Sequence, residues 1–129
     1  VEYSYNLMFE DRAISLWTYN LETLLAEKLE TIMTRGTANT RMRDFYDIHV
    51  ISRQEPYEPT ILKRAFLATS RKRNTTDQIP DLKTILETVE SDEAMIRQWE
   101  NFRKESFFIS ELIWDEVMES VKLFAEAVL

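Results

Sequence analysis

Cysteine is absent from the 129 residues. Neither a disulfide nor a thiolate metal site can therefore form, and a reducing compartment is allowed without being demonstrated. Glycine occurs once, at Gly36, and proline three times. That scarcity argues against a turn-rich all-β fold and for helices. There is no internal repeat and no glycine-rich phosphate loop. Histidine also occurs once. His49 reads as a packed aromatic rather than a ligand, because a metal would need further donors that its own segment does not place beside it. No apolar run approaches the ~20 residues that span a bilayer, and nothing resembles a signal peptide. The expected setting is cytoplasmic, with no membrane partner. What is present is a hydrophobic fraction of 44%, sufficient for one domain with a sizeable core.

Positive charge is in deficit, giving a net charge of −7, but the deficit is uneven. Between Met33 and Arg73 the cations Arg35, Arg41, Arg43, Arg53, Lys63, Arg64, Arg71, Lys72 and Arg73 outnumber the carboxylates Asp44, Asp47, Glu55 and Glu58. Beyond Asn74 acids dominate. The chain is electrostatically two-sided, and only its basic part suits a phosphate-bearing partner.

Residues 1–9 alternate Tyr3, Tyr5, Leu7 and Phe9 with polar neighbours, which predicts a half-buried strand. Glu10 to Arg12 would turn the chain, and Ala13 to Thr18 would return as a second strand. A lone hairpin is marginal in water, so this one is expected to edge a larger sheet. Helices follow: one capped by Asn20 and ended at Gly36, one from Arg41 to about Arg53 entered through Thr37 to Thr40, and one from Thr60 to about Arg73. A polar linker spans Asn74 to Pro80. A short helix to about Val89, a helix capped by Ser91, and a last helix capped by Ser110 complete the reading. Stripes such as Met95, Trp99 and Phe102, or Trp114, Val117, Val121 and Phe124, are core faces.

The stretch from Tyr19 to Val50 concentrates charge where a core should be. Leu21, Leu24, Leu25, Leu29 and Ile32 share one helical stripe, and Lys28 falls inside it. Arg35 lies near its edge, whereas Glu27, Glu30 and Thr31 read as ordinary solvated positions. A lysine on such a stripe either snorkels to water or is aimed into a cleft to neutralise a phosphate or carboxylate. Asp44 and Asp47 stand three apart, so both carboxylates leave the same face of the next helix. Arg43 and Asp47, four apart, can form a surface ion pair that needs no function. The basic end Arg71-Lys72-Arg73 suits a solvated helix terminus, or a surface that RNA would cross on its way to Lys28.

The run Leu-Glu-Thr-Leu-Leu-Ala-Glu-Lys-Leu-Glu (residues 21–30), followed by Thr-Arg-Gly-Thr-Ala-Asn-Thr-Arg-Met-Arg-Asp-Phe-Tyr-Asp-Ile (residues 34–48), resembles the AbiEii/AbiGii family of bacterial abortive-infection toxins. These are nucleotidyltransferases with a polymerase-beta-like core that act as toxins of type IV toxin–antitoxin pairs. The resemblance implies a catalytic lysine at Lys28 and a catalytic aspartate at Asp44 or Asp47; Arg35 and Arg43 are the supporting candidates for phosphate contacts. The family's metal-binding turn and Asp-x-Asp pair have no counterpart before Tyr19, so no metal ligand is assigned here, and the chain reads as a C-terminal part. Mg²⁺ and NTP are expected for the full-length protein and none for this chain alone. The expected architecture is mainly α, about five to six helices in a bundle (residues 20–129), preceded by a β-hairpin (1–19) edging the nucleotidyltransferase sheet. The implied reaction moves a nucleotidyl group from NTP to an acceptor such as tRNA, under control of a cognate antitoxin encoded nearby. The alternative is a catalytically silent helical module that binds nucleic acid or an antitoxin-like protein through its basic band.

Overall fold

The computed structural model describes residues 10–106, 109 and 111–129, with side chains from Leu21 onward. With one glycine in the chain and no proline before Pro56, nothing interrupts helix propagation until the first turn. Helix α1 accordingly runs unbroken through Glu10–Arg35. This corrects two expectations. Glu10 to Arg12 is not a turn and Ala13 to Thr18 is not a strand, and Asn20 lies inside the helix rather than capping it. Six alternating residues are too few to separate period two from period 3.6, and Ile14, Trp17, Leu21 and Leu24 equally satisfy a helical row. The first expected strand, residues 1–9, lies outside the described residues, as does the sheet it would edge. Among the described residues there is no strand.

Gly36 ends α1 with a left-handed backbone, φ +49°, the role glycine fills at helix C-termini. A single 3-10 turn, Gly36–Ala38, leads on. Asn39 then accepts a hydrogen bond on Oδ1 from the Arg41 amide at 2.8 Å, which turns the chain into α2, Met42–Gln54. Helix α3, Pro59–Lys72, starts with proline in its first turn, where the missing N–H costs nothing. It ends with Asn74 at φ +60° and the Thr75 amide bonded back to the Ser70 carbonyl at 2.8 Å, a Schellman-type stop. The expected linker contains a 3-10 segment, Thr76–Asp81, before α4, Leu82–Ser91.

Helix α5, Glu93–Lys104, is capped by Asp92, whose Oδ2 accepts from the Met95 amide at 3.0 Å. Ser91 instead closes α4. The last helix, α6, Trp114–Glu126, begins after Ile113, beyond the expected Ser110 cap. Glu116 reaches back to accept from the Ile113 amide at 3.3 Å. Isoleucine has no acceptor to complete a capping box, so only half of one forms.

Helix α1 packs against α2, α3 and α4, while α6 packs against α2, α4 and α5. Helices α1 and α6 thus share α2 and α4 between them. Leu25, Leu29, Ile32, Phe45, Ile48, Leu62, Phe66, Leu86, Trp99, Val117 and Phe124 belong to one buried cluster. The ring centroid of Trp114 lies 5.2 Å from that of Phe45 and 5.9 Å from that of Trp99. Each indole N–H finds a backbone carbonyl, Trp99 on Leu112 at 2.8 Å and Trp114 on Glu90 at 3.0 Å, so neither buried ring leaves a donor unpaired. The expected stripes are core, as their spacing indicated.

A Cβ added at Gly36 would meet nothing within 4 Å. The cost of Gly36→Ala is therefore backbone strain alone, about 1 kcal/mol, and is expected as a lower urea midpoint with an unchanged m-value.

Candidate functional site

Helix α1 and helix α2 form a hairpin across the Gly36 turn, and this hairpin brings Lys28 to the two aspartates. The Lys28 ammonium lies 2.9 Å from Asp47 Oδ2 and 3.4 Å from Asp44 Oδ1. The side chain retains 17% of its exposure, Asp44 3% and Asp47 19%. Lys28 is thus a half-buried cation held between two carboxylates, with its stem along the Leu24 and Ile32 side of α1. Asp44 stands in the first turn of α2, where the helix dipole favours a carboxylate. Its Oδ2 is buried without a hydrogen bond, with Arg41 Nε at 3.5 Å. Arg43 Nε meets Asp47 Oδ1 at 3.2 Å, the expected i,i+4 pair.

The cluster therefore holds three cations, Lys28, Arg41 and Arg43, against two carboxylates. One positive charge remains uncompensated, on side chains that reach solvent: Arg41 is 57% exposed and Arg43 74%. Such a surplus favours an anion at the rim. Arg35 is exposed at the end of α1 and makes no ion pair among the described residues. It lies seven residues beyond Lys28, two turns or roughly 10 Å along the same side of the helix.

No group of three or more His, Cys, Asp or Glu side chains among the described residues has the geometry to hold a metal ion. Asp44 and Asp47 face an ammonium, which a divalent cation would have to displace, so the described residues do not fit Mg²⁺.

A second charged cluster escaped the sequence reading. Glu30, expected to be solvated, is buried. Its Oε1 accepts from Arg73 Nη1 and its Oε2 from Thr75 Oγ1 at 2.9 Å. Glu22, also buried, accepts on Oε2 from the Glu58 amide at 2.8 Å. Together they clamp both ends of α3 onto α1. The signal was available: Glu22, Ala26 and Glu30 form an i,i+4 row flanked by Leu29 and Met33, so these acids sit on a second apolar face. Arg73 is consequently not a free member of the basic helix end, whereas Lys63, Arg64, Arg71 and Lys72 are exposed.

His49 points into the α2–α6 contact, its Nδ1 2.7 Å from Ser120 Oγ. Burial first, and Arg53 second, lower its pKa from the ordinary 6.5, with Glu116 opposing. It serves packing, as its lone occurrence suggested.

Two outcomes follow from these contacts. Glu30→Ala strands Arg73 and Thr75, and with Arg73 partly solvated the expected loss is about 2 kcal/mol by urea denaturation. Because the unfolded His49 binds its proton more tightly than the folded one, stability should fall as pH drops below about 6.5 toward the folded pKa and then level off. His49→Gln should flatten that part of a Tm-against-pH profile.

The family model described as nucleotidyl transferase AbiEii toxin, type IV TA system, matches residues 1–121. No curated protein and no solved structure matches the chain significantly. The matched span includes the α1–α2 hairpin with Lys28, Asp44 and Asp47, and by this match the chain belongs to the AbiEii family of nucleotidyltransferase toxins of type IV toxin–antitoxin systems.

Proposed function

We propose that this chain supplies the lysine and aspartate part of a nucleotidyltransferase active site. Lys28 would neutralise triphosphate charge, and Arg43 and Arg35 would steer phosphate toward it. The observation that supports this most is the position of the Lys28 ammonium, 2.9 and 3.4 Å from two carboxylates at a rim that keeps one excess positive charge. A cation fixed in this way needs no reorganisation when phosphoryl charge develops beside it, which is how positioning and electrostatics lower such barriers. Asp44, nearly buried, suits the role of positioning Lys28. Asp47, more open and shared with Arg43, suits contact with an incoming hydroxyl as base. On this proposal NTP is the donor and an RNA such as tRNA the acceptor, while the type IV toxin–antitoxin family supports a cognate antitoxin as partner. The described residues lack a fit for Mg²⁺, and no step is routed through a metal.

A second reading has its own observation. Lys63, Arg64, Arg71 and Lys72 leave one face of α3 exposed and basic, the footprint of a nucleic-acid contact. On that reading the chain is a silent binding module.

In the native protein, Lys28→Ala should cut nucleotide transfer at least about a hundredfold and relieve toxicity while circular dichroism stays native. Transfer at the wild-type rate would overturn the active-site reading. Arg71→Glu with Lys72→Glu tests the module reading, which requires that pair to matter more than Lys28. Arg73 is left intact because its loss would unfasten α3.

A further inference from the structure

Across from the first turn of α2, one side of α5 borders an open surface groove of about 390 Å³. Arg41 and Arg43 form one wall; Gln98, Asn101, Phe102 and Glu105 form the other. The α5 residues follow helical spacing i, i+3, i+4, i+7, so they share one face. Its volume is in the range of a small-ligand site, and the two arginines that border it also pair with Asp44 and Asp47 of the Lys28 cluster.

Its two walls differ chemically. Arg41 and Arg43 use Nε on the aspartates and make no other ion pair among the described residues. Each guanidinium therefore keeps outer N–H donors of the kind that fork onto phosphate. On the opposite wall Asn101 is exposed, and its side-chain amide makes no hydrogen bond among the described residues. Gln98 has only a long 3.9 Å contact from Nε2 to the Met95 sulfur. A side-chain amide presents a donor and an acceptor side by side, which complements the edge of a nucleobase. Phe102 lines the same side, its ring centroid 5.3 Å from that of Trp99 and 6.4 Å from that of Tyr46, an apolar flank against which a base can lie. Glu105 would repel a phosphate on this side. Phosphate at the arginines and base at α5 is the orientation the charges allow.

We propose that this groove seats a nucleobase, with Gln98 and Asn101 reading its edge and Arg41 and Arg43 holding its phosphate beside Lys28. The proposal rests on the reading of Lys28 as a phosphate-facing group, and it adds the residues that set base preference. The nucleotide is either the free NTP or the terminal nucleotide of an RNA strand.

Equilibrium binding and side-chain amide NMR on the full chain decide it, with three probes: each of the four NTPs, a short single-stranded oligoribonucleotide, and inorganic tripolyphosphate. Gln98→Ala with Asn101→Ala, both outside the core, should weaken NTP or oligonucleotide binding about tenfold, unequally among bases, and leave tripolyphosphate binding unchanged. A loss confined to NTPs identifies the donor nucleotide, and one confined to the oligonucleotide identifies the acceptor end. Unaltered binding of both, with no movement of the Gln98 and Asn101 amide resonances in the wild type, overturns the groove. Tripolyphosphate binding that ignores Lys28→Ala overturns the Lys28 reading instead, and the amide resonances still judge the groove. Absence of binding by any probe at millimolar concentration overturns both.

Discussion

Three charged side chains on the covered part of one helix constrain the rest of this structure. From Leu21 onward α1 is covered over most of its circumference, only Thr23, Glu27, Thr34 and Arg35 being exposed. Glu22, Lys28 and Glu30 therefore face protein rather than water. A buried charge without a partner is costly enough that a competing arrangement lacking these pairs is disfavoured. Each of the three is met by a different segment: Lys28 by α2, Glu22 by the start of α3, and Glu30 by the residues just after α3. Apolar packing alone would tolerate sliding of α2 and α3 along α1. The three polar contacts give each neighbour one register.

This arrangement separates structure from chemistry along α1. Glu22 and Glu30 are satisfied by backbone amide, hydroxyl and guanidinium donors that lie inside the fold, and they have the character of clamps. Lys28 is satisfied by carboxylates at a rim where further cations gather, so its cluster can accept another anion without losing its internal pairing. The same burial thus serves stability at one face of the helix and leaves a positively biased, preorganised group at another. The groove between α2 and α5 shares Arg41 and Arg43 with that rim and adds amides and an aromatic ring.

Much of the fold was legible. Helices α2, α3, α4 and α5 lie within a few residues of their expected bounds, because Gly36, Pro59 and the acids near Asp92 act locally and their neighbours cannot override them. The i,i+3 spacing of Asp44 and Asp47 correctly placed both carboxylates on one side. The segment from Ala13 to Thr18 was misread, since its alternation is short and helix propagation from Leu21 backward meets no breaker. Glu30 was misread because a wheel built around the leucine stripe assumes one buried face, and α1 has two. Arg73 looked like part of a solvated basic end for the same reason: its partner was thought to be in water.

Local chemistry, then, was determined by sequence alone: scarce glycine and proline favour helices over a turn-rich fold, and residue spacing sets which side chains share a helix face. It also carried the family motif. Only the tertiary structure decided that Lys28 meets carboxylates sixteen and nineteen positions away, and that Glu30 meets Thr75 across forty-five. Those distances along the chain exceed any helical period. They are closed by burial, which forces each charge on α1 to find a counterpart wherever the neighbouring helices can bring one.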